Sequence, residues 1–118
     1  MTDNENPTLT ITFKIPGTLN QKLDENIISD GYGMRGKSKW VREAIEKLFT
    51  YPDFPELVSL SDDIENSNHS ISVRFPKTLL IELDKMVIAV RREYPELEGV
   101  RSRIIRTAII QRFFRGSV

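Results

Sequence analysis

Leu9-Thr10-Ile11-Thr12-Phe13-Lys14-Ile15-Pro16 alternates apolar and polar residues, and Ser70-Ile71-Ser72-Val73-Arg74-Phe75-Pro76 repeats the alternation 60 residues later. A period of two carried by β-branched and aromatic residues predicts a half-buried strand. Proline has a fixed φ and no backbone N–H, so it ends each strand and suits the first turn of a helix. One face of the predicted pair holds Leu9, Ile11, Phe13, Ile15, Ile71, Val73 and Phe75. The other holds Thr10, Thr12, Lys14, Ser70, Ser72 and Arg74.

The match runs on beyond the strands. At the same shift Thr18-Leu19 falls on Thr78-Leu79, Leu23-Asp24 on Leu83-Asp84, and Ile28 on Ile88. Further on the shift becomes 64. Ser38 then falls on Ser102, Arg42 on Arg106, Ala44-Ile45 on Ala108-Ile109, and Phe49 on Phe113. The order is kept across three elements, so one unit of strand, helix and helix occurs twice.

Leu19, Leu23, Ile27 and Ile28 recur at helical spacing, and Gly31 and Gly33 stop that helix. Leu79, Leu83, Met86, Val87 and Val90 form the matching stripe. Its helix should reach about Arg92–Tyr94. A further helix is predicted from about Lys37 to Phe49, with Val41, Ala44, Ile45 and Leu48 inward. Its counterpart has Ile104, Ile105, Ala108, Ile109 and Phe113 inward. One strand and two short helices cannot close a core, whereas two sets can. The expected fold is α+β and mostly α, with a first unit at 8–49, an acidic linker at 50–69 and a second unit at 70–115. Pairing the strands antiparallel would give a two-stranded ribbon covered on one face by four helices. Within the linker, Glu56–Leu60 is a candidate helical turn. Of the remaining apolar residues, Leu80, Ile81, Ile88, Ile110 and Phe114 are candidates for core or for a chain–chain contact.

Composition narrows the function classes. The 118 residues are 39% hydrophobic and 29% charged, with no cysteine and one histidine, His69. Disulfides, Cys-based zinc sites and thiol catalysis are excluded. A His-driven triad or His-based metal site is implausible. The longest apolar run, Met86–Val90, falls far short of the roughly 20 residues of a membrane span. No secretory segment is read at the start. The expectation is a soluble, cytoplasmic, non-enzymatic chain with no cofactor and no membrane partner.

The zero net charge conceals a pattern. Residues 8–49 carry +2 and residues 70–118 carry +5, while residues 50–69 carry −5. The acid, including Asp62, Asp63 and Glu65, gathers in the linker. A neutral total therefore does not argue against a polyanionic partner.

A two-stranded ribbon fits the major groove of B-DNA. Lys14 and Arg74 can donate to guanine O6 and N7, and Thr10, Thr12, Ser70 and Ser72 can donate or accept. A solvated strand face also carries Thr and Ser, but here the same polar triplet occurs in both strands. The second candidate is the start of each last helix, Gly36-Lys37-Ser38-Lys39 and Val100-Arg101-Ser102-Arg103. A helix start offers backbone N–H groups and a positive dipole, which suit phosphate.

The stretches Ile11–Pro16 and Ile71–Pro76 resemble the strand of ribbon-helix-helix DNA-binding proteins, the family of the Arc and MetJ repressors. Lys37–Ile45 resembles the start of their second helix. The likeness covers residues 8–49 and 70–115. Two units in one chain resemble the tandem, TraY-type form, and imply an intramolecular pseudo-dimer. The resemblance implies that Thr10, Thr12, Lys14, Ser70, Ser72 and Arg74 enter the major groove. It implies phosphate contacts at Gly36, Lys37, Ser38 and Lys39, and at Val100, Arg101, Ser102 and Arg103. Two departures stand out: Val100 replaces a capping Ser, Thr or Gly, and Glu93, Glu96 and Glu98 precede the second helix start.

Three functions fit this reading: a sequence-specific transcriptional repressor, an accessory DNA-binding protein at a conjugative transfer origin, and an autoregulating antitoxin. The expected partner is double-stranded DNA. A homo-oligomer on adjacent subsites and a relaxase or other protein partner are left open. The antitoxin reading has least support, because only Arg115–Val118 follow the last predicted helix.

Overall fold

The computed structural model describes residues 7–33, 35–61 and 69–115. Asp62, Asp63 and Glu65 of the connector and residues 116–118 lie outside the described residues. The fold is α+β and mostly helical, with one two-stranded antiparallel sheet and, among the described residues, five helices. In chain order these are β1 (Thr8–Ile15), α1 (Gly17–Ser29), α2 (Lys37–Leu48), α3 (Phe54–Ser59), β2 (His69–Pro76), α4 (Lys77–Glu93) and α5 (Val100–Arg115).

The strands pair with Thr12 opposite Ser72, Thr10 opposite Arg74 and Lys14 opposite Ser70. The 60-residue shift that relates the strand sequences also carries Thr12 onto Ser72, so the ladder is centred on that matched pair. Phe13, Ile15, Ile71, Val73 and Phe75 are buried on one face, and Ile11 is partly buried. Leu9 departs from the expectation. It lies one position from the start of β1 and is 51% exposed, although its partner Phe75 on the same face is fully buried.

Pro16 and Pro76 each occupy the extended residue just before a helix, with ψ of 146° and 147°. This is the backbone state in which a strand hands over to a helix. A glycine-based cap ends α1. Gly31 adopts φ +83°, its N–H donates to the Ile28 carbonyl, and the Tyr32 N–H donates to the Ile27 carbonyl. A left-handed residue flanked by these two bonds satisfies the last carbonyls of the helix. Gly36 has a different requirement: a Cβ there would overlap Tyr32.

The core gathers on the apolar ribbon face. Helix α2 contributes Trp40, Val41, Ala44, Ile45 and Leu48, and α5 contributes Val100, Ile104, Ile105, Ala108 and Ile109. The two helices pack on one another. Each Val, Leu or Ile among them contributes about 1.5–3 kcal/mol by leaving water. Leu23 and Ile27 of α1, and Leu79, Leu80, Leu83 and Val90 of α4, close the flanks. Leu80 is therefore core, whereas Ile28, Ile81, Ile88 and Phe114 are exposed and Ile110 is half-buried.

The connector is more structured than its prolines suggest. Pro55 sits in the first turn of α3, where its missing N–H costs nothing. Phe54 and Val58 are buried, and the Phe54 ring lies 5.8 Å from Phe49 in an edge arrangement.

Candidate nucleic-acid interface

The six polar strand residues Thr10, Thr12, Lys14, Ser70, Ser72 and Arg74 are all exposed on the ribbon face turned away from the core. The alternation dictates this: burying Phe13, Ile15, Ile71, Val73 and Phe75 turns every second side chain outward. At the middle, Thr12 Oγ1 and Ser72 Oγ share a hydrogen bond of 2.9 Å. The cations stand at opposite ends of the face and on opposite strands. About 13 Å of strand separates the Thr10–Arg74 step from the Lys14–Ser70 step.

The start of α2 lies against β2. Ser38 Oγ accepts the backbone N–H of Arg74 at 2.9 Å. Gly36 is buried, Lys37 and Ser38 are partly buried, and Lys39 is exposed, with its ammonium 5.8 Å from the Tyr32 ring. Lys37 Nζ lies 3.0 Å from Asp24 Oδ1 and donates to Asn20 Oδ1 at 3.4 Å. Asn20 also contacts His69, its Nδ2 lying 3.2 Å from His69 Nε2. His69 begins β2, as the sequence suggested.

The start of α5 matches this only in part. Arg101 is exposed, and its Nη2 donates to Asp84 Oδ1 at 2.8 Å. Ser102 is partly buried and Val100 is buried. Arg103 departs from the expectation of a phosphate contact. It is only 8% exposed, its Nε donates to the Glu98 carbonyl at 3.0 Å, and its Nη1 donates to the Ser61 carbonyl. Its position explains the inward turn: it stands three residues after the buried Val100 and four before the buried Thr107, on one face of the helix. The guanidinium ties the connector to the start of α5. Arg106, also buried, donates from Nη1 to the Lys14 carbonyl at 3.4 Å.

The two helix starts therefore differ in charge. Beside α2 stand Arg35, Lys37 and Lys39. Beside α5 stands Arg101, with the exposed Glu93, Glu96 and Glu98 just before it.

Two further features escaped the sequence reading. One is the pair of aspartates. Leu23-Asp24 and Leu83-Asp84 matched in the repeat, and a matched polar residue beside a core leucine was the available signal. The other is a cluster around Arg112. Its Nη1 donates to the Trp40 carbonyl and its Nη2 to Tyr32 Oη, both at 2.8 Å. The guanidinium lies 4.5 Å from the Trp40 ring and 3.7 Å from Glu43 Oε1. Tyr32 Oη donates to Glu43, and Trp40 Nε1 donates to Asp30 at 2.8 Å. Trp40 is fully buried, so its indole is core.

Among the described residues, no group of three or more His, Cys, Asp or Glu could hold a metal ion. No helix among them is long and apolar enough to cross a membrane. No family model, curated protein or solved structure matches the chain.

Proposed function

We propose that the chain binds double-stranded DNA in a sequence-specific manner, as a tandem ribbon-helix-helix protein that represses transcription. In this reading the halves at 8–49 and 70–115 form a pseudo-dimer within one chain. The observation that carries it is the exposed polar face, with Thr12 opposite Ser72 at its centre and a basic residue at each end. A related triplet on each strand, flanked by a helix start, offers donors and acceptors to base edges and cations to phosphates.

Arg74 and Lys14 read bases from opposite ends of the ribbon, and the hydroxyls between them read the centre. Lys37, Ser38, Lys39 and Arg101 meet phosphate. The strands are unlike, Thr-Thr-Lys against Ser-Ser-Arg, so the preferred site is not a perfect palindrome.

The test is a binding selection on fragments of the source genome at physiological salt, mapping the enriched site. A site beside a promoter supports repression. A site beside a nicking origin keeps the DNA-reading claim and assigns the transfer-accessory role instead. Failure to enrich any sequence overturns the groove-reading claim.

A further inference from the structure

We infer that Asp24 and Asp84 compete, inside the chain, with DNA phosphate for Lys37 and Arg101. The inference rests on the DNA-binding reading above and concerns how that same surface is regulated.

The two ion pairs are equivalent by the sequence repeat. The shift of 60 carries Asp24 onto Asp84, and the shift of 64 carries Lys37 onto Arg101. Both pairs are close, at 3.0 and 2.8 Å, and both join the first helix of a repeat to the start of its second. The local sequence around them differs: Asn20 supports Lys37, and the matching position is the buried Leu80. The same contact arises twice on different surroundings.

Neither pair serves the core. The Asp24 and Asp84 side chains are 51% and 61% exposed. Exposed pairs of this kind contribute little to stability. Their placement matters more. A helix start favours an anion, yet neither α2 nor α5 has an acidic residue in its first turn. The carboxylate comes from the neighbouring helix and engages the cation set beside that start. A phosphate must draw the cation from its carboxylate, and the uncovered carboxylate then repels the DNA backbone. The chain's affinity is thereby held below what its basic residues permit.

The experiment measures affinity for a short duplex of random sequence, and its salt dependence, for the full chain. The Asp24→Asn, Asp84→Asn double variant is compared with Glu25→Gln, Glu82→Gln, which removes the same charge from exposed neighbours on the same helices. The aspartate variant should bind about tenfold more tightly than the parent and steepen the log–log salt slope by about 1–2, as two cations become available to phosphate. The glutamate variant should change affinity less than about twofold, the general charge effect. Adding Lys37→Gln and Arg101→Gln to the aspartate variant should erase the gain. Equal gains in the two double variants, or weaker binding on losing the aspartates, overturn the inference while leaving the DNA-binding reading standing. A parent chain with no DNA affinity overturns both.

Discussion

The Ser38 hydroxyl accepts the backbone N–H of Arg74 at 2.9 Å, so a helix from the first half of the sequence braces a strand from the second. The reverse brace is Arg106 of α5, which donates to the carbonyl of Lys14 in β1. The outward cation of each strand is thus supported by the other half. Ser38→Ala should cost about 0.5–1.5 kcal/mol of stability, the worth of one hydrogen bond. In the proposed function it should also blur base preference at the Arg74 end while sparing the Lys14 end. Denaturant unfolding and a mutated-site binding series test the two parts. Equal blurring at both ends would show that the brace does not act locally.

In the proposed function, Arg74→Ala separates reading from attraction. Loss of one bidentate contact should cost about 1–3 kcal/mol on the enriched site and relax preference at one subsite. Binding to random duplex should fall by less, since Arg74 then contributes only one charge of many. Titrations on both duplexes give the ratio. An equal loss on both would assign Arg74 to phosphate and remove it from base reading.

Arg101 and Arg103 stand two residues apart and should behave as different kinds of residue. Arg101→Ala should leave unfolding nearly unchanged, because its pair with Asp84 is exposed. In the proposed function, and in the Asp84→Asn background where its guanidinium is released, it should lower the salt slope of DNA binding by about 1. Arg103→Ala should destabilise the fold by about 3 kcal/mol, since the Glu98 and Ser61 carbonyls lose charged donors. Paired unfolding and salt-titration curves check this. A destabilised Arg101→Ala with an unaffected Arg103→Ala would reverse the assignment.

Much of the architecture follows from local periodicity. Alternation set the strand faces, and apolar stripes set α1, α2, α4 and α5 to within a residue or two of their ends. Such patterns record which side of an element meets water, so they survive without knowledge of the partner. Leu9 shows the limit: it keeps the apolar register opposite the buried Phe75 and is exposed all the same, so alternation gives the face and not the depth of burial. Arg103 shows another. Its spacing from Val100 already placed it on the inward stripe, and its charge argued for solvent. The guanidinium goes inward because carbonyls just before α5 and just after α3 provide acceptors. Those acceptors are 5 and 42 residues away in sequence, and no local pattern encodes the second. The exposed polar face was legible for the opposite reason: it is the remainder once the buried face is fixed.

Arg112 joins α5 to α2 through geometry that charge alone cannot supply. Its two terminal nitrogens reach the Trp40 carbonyl and Tyr32 Oη, while its plane lies against the Trp40 ring. Lysine carries its three N–H donors on a single nitrogen and has no plane, so it cannot reproduce the two-nitrogen fork or lie flat on the Trp40 ring. Arg112→Ala should therefore lower stability by about 3 kcal/mol, combining lost donors to buried acceptors with a lost cation–π contact. Arg112→Lys should recover less than half of that, although it keeps the charge beside Glu43. Denaturant midpoints for the three proteins decide the point. Full recovery by lysine would mean that the Glu43 pair carries the contact and that the fork on Trp40 and Tyr32 is incidental. The helix most affected would be α2, whose start carries Lys37, Ser38 and Lys39. Loosening it should also weaken DNA binding in the proposed function, even though Arg112 is placed in none of its DNA contacts.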